Sequence, residues 1–211
     1  AWTPAPRLVD ALDAAFHASF GTVEATGKRW LLGLDVSGSM DAGTMAGVPG
    51  LTPRDASAAM ALATVAAEAQ ATVVAFSAGA GGTGGRWGGG ESGLTPVPLS
   101  ARQRLDDVVA GLRRIPMGGT DCALPMLWAR ERKVPVDVFV VYTDSETWHG
   151  EIHPVQALRR YRDATGIAAK LVVVGMVANR FSIADPDDAG MLDVVGFDTA
   201  APQLMADFAR G

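Results

Sequence analysis

Cysteine is nearly absent from this sequence: Cys122 stands alone among 211 residues. One thiol excludes an internal disulfide and a thiolate metal cluster, and it leads us to expect a reducing, cytoplasmic setting. Charge is scarce too. Asp, Glu, Lys and Arg make up 19% of the chain, with a net charge of −5 and a pI near 5.1. An acidic balance of this kind argues against gripping a phosphate backbone over a wide surface, although a local basic patch stays open. Long apolar runs are missing. The longest, over 31–34, 138–142 and 171–174, are strand-sized and far short of the roughly 20 residues of a membrane helix. The opening Ala1-Trp2-Thr3-Pro4 has neither the basic start nor the apolar block of a signal peptide. It also lacks an initiator Met, so the expectation is a piece cut from a longer protein. No repeat and no heptad is visible.

Apolar residues are abundant, at 48%, enough for a sizeable core. Their patterning alternates between unbroken runs and helical spacing. Runs over 29–34, 71–77, 137–142 and 169–175 read as strands buried on both faces of a parallel sheet. A further strand over 191–197 is expected. The stretch 94–99 holds Pro96 and Pro98, so it can only be an edge strand, reached by a hairpin and antiparallel. Helical spacing over 6–20 places Leu8, Leu12, Ala15, Phe16 and Phe20 on one face; this helix flanks the sheet or leads in from upstream. Thr52 and Asp55 form a capping box for an Ala-rich helix with Pro53 at its first position. Ser100 and Gln103 repeat that pattern for the next helix, followed by helices from about 121 to 130 and from 153 to 166. A last helix opens near Asp198 and carries Leu204, Met205 and Phe208 inward. The result is α/β: a doubly wound, mostly parallel six-stranded sheet of order 3-2-1-4-5-6, with one antiparallel edge and helices on both faces.

Asp35-Val36-Ser37-Gly38-Ser39 leaves the first strand. One carboxylate and two hydroxyls, at every second position, emerge together at a strand's carboxyl end. Hard oxygen ligands suit a hard divalent cation, above all Mg2+, with Mn2+ or Ca2+ as alternatives. A polar turn whose Ser and Asp side chains bond their own backbone explains the same five residues. The strand order decides between them. It sets strands one and four side by side, with a crevice where the crossover direction reverses. Strand four delivers Asp144, and the turn Gly118-Gly119-Thr120 reaches the same crevice. Two carboxylates within about 4–6 Å raise one another's pKa by a unit or more, and a divalent cation relieves that. Asp35, Ser37, Ser39, Thr120 and Asp144 would nearly neutralise the ion and leave a position for an acidic group from outside.

This set, Asp35-x-Ser37-x-Ser39 with Thr120 and Asp144, resembles the metal-ion-dependent adhesion site of von Willebrand factor A domains. The resemblance extends over most of the chain to the A domain of the Ro RNA-binding autoantigen family. It is carried by Thr26-Gly27-Lys28-Arg29, by Ile115-Pro116-Met117-Gly118-Gly119-Thr120-Asp121-Cys122, by Thr143-Asp144-Ser145-Glu146-Thr147 and by Ile183-Ala184-Asp185-Pro186-Asp187-Asp188. Residues 1–28 then form a lead-in helix and connector, and 29–211 the A domain. The stretch 40–51 is only loosely similar, and the Gly-rich 78–93 looks like an insertion. The resemblance implies a bacterial-type, C-terminal part of a ring-shaped ribonucleoprotein. Its upstream ring of helical repeats binds small noncoding Y RNAs and misfolded RNAs, and exoribonucleases act with it in RNA quality control. It further implies a binding module, not an enzyme, cytoplasmic and away from membranes, whose ion meets an acidic ligand.

Other residues fit simpler roles. Gly79 to Gly84 match G-x-G-x-x-G but do not open into a helix, which excludes a dinucleotide loop. His149 and His153 are four apart, yet Pro154 starts the helix after His153. A hydrolase or phosphatase using the same crevice is the alternative, with Ser37, His149 and Asp144 as its nucleophilic set; the G-x-S-x-G elbow is missing. Asp185, Asp187 and Asp188 read as capping acids in a turn, His17 as a helix-surface residue, and Cys122 as a small buried residue. Glu146 could tune the site from behind. Trp148 fits either an exposed contact or the core.

Overall fold

Uninterrupted apolar runs become the middle of one sheet because each is covered from both sides. A computed structural model describes residues 4–45, 48–77, 93–144, 150–177 and 183–211. Its strands are β1 (Trp30–Asp35), β2 (Ala71–Ser77), β3 (Gly93–Pro96), β4 (Val138–Thr143), β5 (Lys170–Gly175) and β6 (Met191–Val195). They lie in the order β3-β2-β1-β4-β5-β6. All neighbours are parallel except β2 and β3. Every residue of β1 and of β4 is buried, as fully sandwiched parallel strands require.

The helices are α1 (Pro6–Ser19), α2 (Pro53–Ala67), α3 (Leu105–Leu112), α4 (Leu124–Glu131), α5 (Pro154–Thr165) and α6 (Ala201–Arg210). Alternation along β1 divides the core in two. Leu32 and Leu34 pack with α2, α3 and α6 on one face, while Leu31 joins α4 and α5 on the other. Gly33 permits a close approach on the second face: a Cβ there would meet Pro125 Cγ of α4 at 2.7 Å. The expected capping box forms, with the Asp55 amide donating to Thr52 Oγ1 at 3.2 Å and the Thr52 amide to Asp55 Oδ2 at 3.3 Å. Gly166 ends α5 at φ 69°, in the left-handed conformation that suits glycine.

Several expectations need correction. The Ser100 amide does donate to Gln103 Oε1, at 3.4 Å, but the chain then makes a turn and α3 starts only at Leu105, without a side-chain cap. α4 starts at Leu124 instead of 121, because Asp121 first forms a turn in which its Oδ1 accepts the Ala123 amide at 3.0 Å. The apolar face of α1 is largely bare: Leu8 is 55% and Leu12 67% exposed, and only Phe16 packs on the core beside the buried Phe20. Leu204 points outward at 47% exposure, while Met205 of the same helix is buried. His17 is half-buried between the rings of Phe16 and Phe20. The expected insertion over 78–93 lies, but for Gly93, outside the described residues.

Candidate metal centre

The carboxyl ends of β1 and β4 meet at the middle of the sheet, where they are direct neighbours. β1 ends on Asp35, which is fully buried. The chain then turns through Val36 and Ser37 into a 3-10 turn over Gly38–Asp41. Ser37 is buried and Ser39 exposed, so the donors climb from the floor of the crevice to its mouth. Asp35 Oδ1 accepts the Ser37 amide at 2.8 Å, and its Oδ2 accepts the Thr143 hydroxyl at 2.7 Å. The Ser37 and Ser39 hydroxyl oxygens are 3.1 Å apart. Ser39 Oγ in turn donates to Asp144 Oδ1 at 3.0 Å, across 105 residues of sequence. Four of the five expected residues are thus joined in one chain of oxygens.

Thr120 is buried in the turn ahead of α4. Two residues on, the Cys122 thiol hydrogen-bonds with Thr143, and its pKa is raised by burial and by the nearby Asp35, Asp121 and Asp144 carboxylates. Through Cys122 this turn lies against the end of β4. Cys122 is wholly buried, a small core residue as expected.

Burial pushes the Asp35 carboxyl up to about 6; the Ser37 amide and Thr143 hydroxyl partly offset this, and the Asp144 charge adds to it. A buried carboxylate under such strain fits a divalent cation, whose charge would favour the ionised form. The donors are all hard oxygens, which suits Mg2+, Mn2+ or Ca2+ better than a soft ion. Among the described residues no three His, Cys, Asp or Glu side chains gather into a metal-holding group; an ion held here would depend on hydroxyls.

One residue of the site escaped the sequence. Arg54, in the first turn of α2, is completely buried. Its Nη2 donates to the carbonyls of Val36 at 3.2 Å and Ser37 at 3.3 Å, and its Nη1 to that of Leu112 at 3.4 Å. Its Nε lies 3.0 Å from Asp41 Oδ1, close enough for an ion pair but not aligned as a hydrogen bond. Spacing gave no signal for it: α2 is buried at 53–54 and throughout 56–64, so no single face of the helix singles the charge out.

Other expected residues fall elsewhere. His153 caps α5, its Nδ1 accepting the Val155 amide at 3.3 Å. Asp185 accepts the Asp187 amide at 3.1 Å and pairs with Arg159 at 2.9 Å, while Asp188 pairs with Arg162. Both are turn residues. Glu146, Trp148 and His149 lie outside the described residues.

A family model described as the Ro60 vWA domain matches residues 29–209. The RNA-binding protein RO60 of Deinococcus radiodurans is 48% identical over 210 residues, covering 100% of this chain and 37% of that protein. The crystal structure of the RO (RSR) protein of that organism matches with a TM-score of 0.83 over 100% of this chain and 40% of its own. The RNA-binding protein RO60 of Caenorhabditis elegans is 42% identical, covering 100% of this chain and 30% of that protein. This chain therefore spans about a third of the length of these relatives. Proximal thread matrix protein 1 from the mussel byssus, solved with a zinc-occupied MIDAS motif, shares the fold at 14% identity and a TM-score of 0.51, over 89% of this chain and 47% of its own.

Proposed function

The chain belongs to the Ro60 vWA domain family, and from that premise we propose that it is a Mg2+-dependent binding module of a Ro-type RNA-binding protein. The observation that carries this reading is the contact of Ser39 Oγ with Asp144 Oδ1 at 3.0 Å, which closes the two strand ends into one oxygen-lined crevice. Ser37, Ser39 and Thr120 would hold the ion directly, with Asp35 and Asp144 completing the shell directly or through water. A bound Mg2+ supplies a Lewis-acidic position that an outside carboxylate can fill. The protein's own contribution is order: Thr143 and the Ser37 amide fix the Asp35 carboxylate, so the hydroxyls face one point.

In this reading residues 1–28 lead in from an upstream ring of helical repeats and 29–211 form the module. The whole protein takes Y RNAs and misfolded RNAs for quality control in the cytoplasm, alongside an exoribonuclease. The acidic balance of this chain favours RNA affinity in the upstream part, and the acidic ligand follows from the open position on the proposed ion. None of the described helices is long and apolar enough to cross a membrane.

The test is a pair of melting curves, in EDTA and in excess Mg2+. An ion bound only by the folded state adds about 2.7 kcal/mol at a hundredfold excess over Kd, which is on the order of 5–10 °C for a chain of this size. No shift would end the metal reading. Phosphatase turnover that disappears in Asp35→Ala would replace it with the hydrolase alternative.

A further inference from the structure

The buried guanidinium of α2 is more than a core contact. We propose that Arg54 is the positioning residue of the metal centre: it holds the Val36 and Ser37 carbonyls from beneath, so that the Ser37 and Ser39 hydroxyls are presented together at the crevice. This inference deepens the metal reading above and rests on it.

The turn after β1 must bury its backbone while leaving its hydroxyls available. Buried carbonyls demand donors. Val36 O and Ser37 O both accept from the same Nη2, and Ser37 O accepts the Met40 amide as well, at 3.2 Å. Nη1 reaches the carbonyl of Leu112, the last residue of α3, which also accepts the Ile115 amide at 3.1 Å. From Leu112 the chain runs directly to the turn that carries Thr120. Nε faces Asp41, which ends the 3-10 turn. One planar fork therefore ties the turn that bears Ser37 and Ser39 to the end of α3. It is mounted on a rigid helix whose first turn is fixed by Pro53 and the Thr52–Asp55 box.

Two further arguments point to position over mere packing. A buried cation is costly compared with a well-packed apolar side chain, and the residues that follow Arg54 at helical spacing, Ser57, Ala58 and Ala61, are small and buried. Moreover, a positive charge beneath a cation site opposes the cation. If Arg54 acted through its field alone, removing it would tighten Mg2+ binding. If it acts by holding the turn, removing it weakens binding against the sign of the charge. Lys retains the charge but cannot span three carbonyls at once.

The experiment is Mg2+ titration by calorimetry on the wild-type chain and on Arg54→Gln and Arg54→Lys, with amide exchange of residues 36–41 followed in EDTA. Both variants should bind Mg2+ at least tenfold more weakly, and those amides should exchange faster without metal. Asp137→Asn, which breaks an ion pair at the opposite end of β4, should keep wild-type affinity and control for general destabilisation. Wild-type affinity in both Arg54 variants, or tighter binding by Arg54→Gln, overturns the proposal. If neither variant folds, Asp41→Asn decides: in about 0.5 M salt, which screens the lost charge, weaker binding supports the proposal and unchanged binding overturns it. A wild-type chain that takes no Mg2+ sinks the metal reading instead, and metal-free exchange at 36–41 then decides whether Arg54 orders the turn.

Discussion

The Thr143 hydroxyl donates to Asp35 Oδ2 at 2.7 Å, joining the last residues of two neighbouring strands. Together with the Ser37 amide on Oδ1, it fixes a carboxylate that is otherwise wholly removed from water. Burying a charge is unfavourable unless it is matched. Asp35→Asn should therefore melt at the same temperature or higher than wild type in EDTA at neutral pH, since the amide keeps the shape and drops the charge. The same variant should lose the Mg2+-induced rise. Melting curves with and without Mg2+ check both signs; an Asn variant equally destabilised in both conditions would make Asp35 a structural residue only.

Gly33 and Pro125 set how closely α4 lies on β1. An alanine Cβ at 33 would come 2.7 Å from Pro125 Cγ and 3.4 Å from the Phe76 ring. Overpacking of this kind costs about 1–3 kcal/mol, and Gly33→Ala should lower Tm by roughly 2–10 °C. Urea denaturation measures the loss. A wild-type midpoint would mean that α4 can slide outward freely.

At the far end of α4, Lys133 holds φ 54°, with its amide donating to Arg130 O and the Val134 amide to Ala129 O. This is the left-handed position that normally falls to glycine. Lys133→Gly should stabilise the chain by about 1 kcal/mol by removing the Cβ clash, raising Tm by roughly 2–4 °C. Thermal denaturation tests it, and a lower Tm would overturn it.

Acid should unfold the chain through its ion-paired carboxylates. The Arg29 guanidinium, hydrogen-bonded to Asp137, holds that carboxyl below its ordinary value, and Arg162 does the same for Asp188. A depressed folded-state pKa means stability that is present above the unfolded value, near 3.9, and lost as pH falls through the folded one. Tm should therefore drop below about pH 4. Arg29→Gln should start lower at pH 7 and converge with wild type near pH 2. Parallel Tm profiles for the two proteins would refute the assignment.

The sheet order was legible because sandwiched parallel strands must be apolar throughout, and the runs ending at Asp35 and Asp144 are. Ser37, Ser39 and Asp144 could be singled out because oxygen-bearing side chains crowd the ends of those runs, whereas Thr120 drew notice only through the Gly118-Gly119 turn ahead of α4. What periodicity could not show is what covers a face. Leu8 and Leu12 make an apolar stripe on α1, and Leu204 lies at helical spacing on α6, yet all three are exposed. Nor does a capping pattern guarantee a start: Ser100 and Gln103 meet, but the chain turns once more before α3. Arg54 was invisible for a different reason. A lone charge in an Ala-rich helix reads as solvent-facing, and only its contacts reveal three carbonyls and an acid around it.

Of the five residues of the crevice only Asp35 belongs to a strand; Ser37, Ser39, Thr120 and Asp144 lie in the turns outside the sheet. The pleated scaffold therefore bears little of the chemistry beyond Asp35 and its partner Thr143, and mutation can rewrite the other four without disturbing its register. A lineage with this architecture is free to lose, retune or invert its ion preference while remaining fully folded. Among such proteins, an intact sheet is no guide to whether the ion is still used.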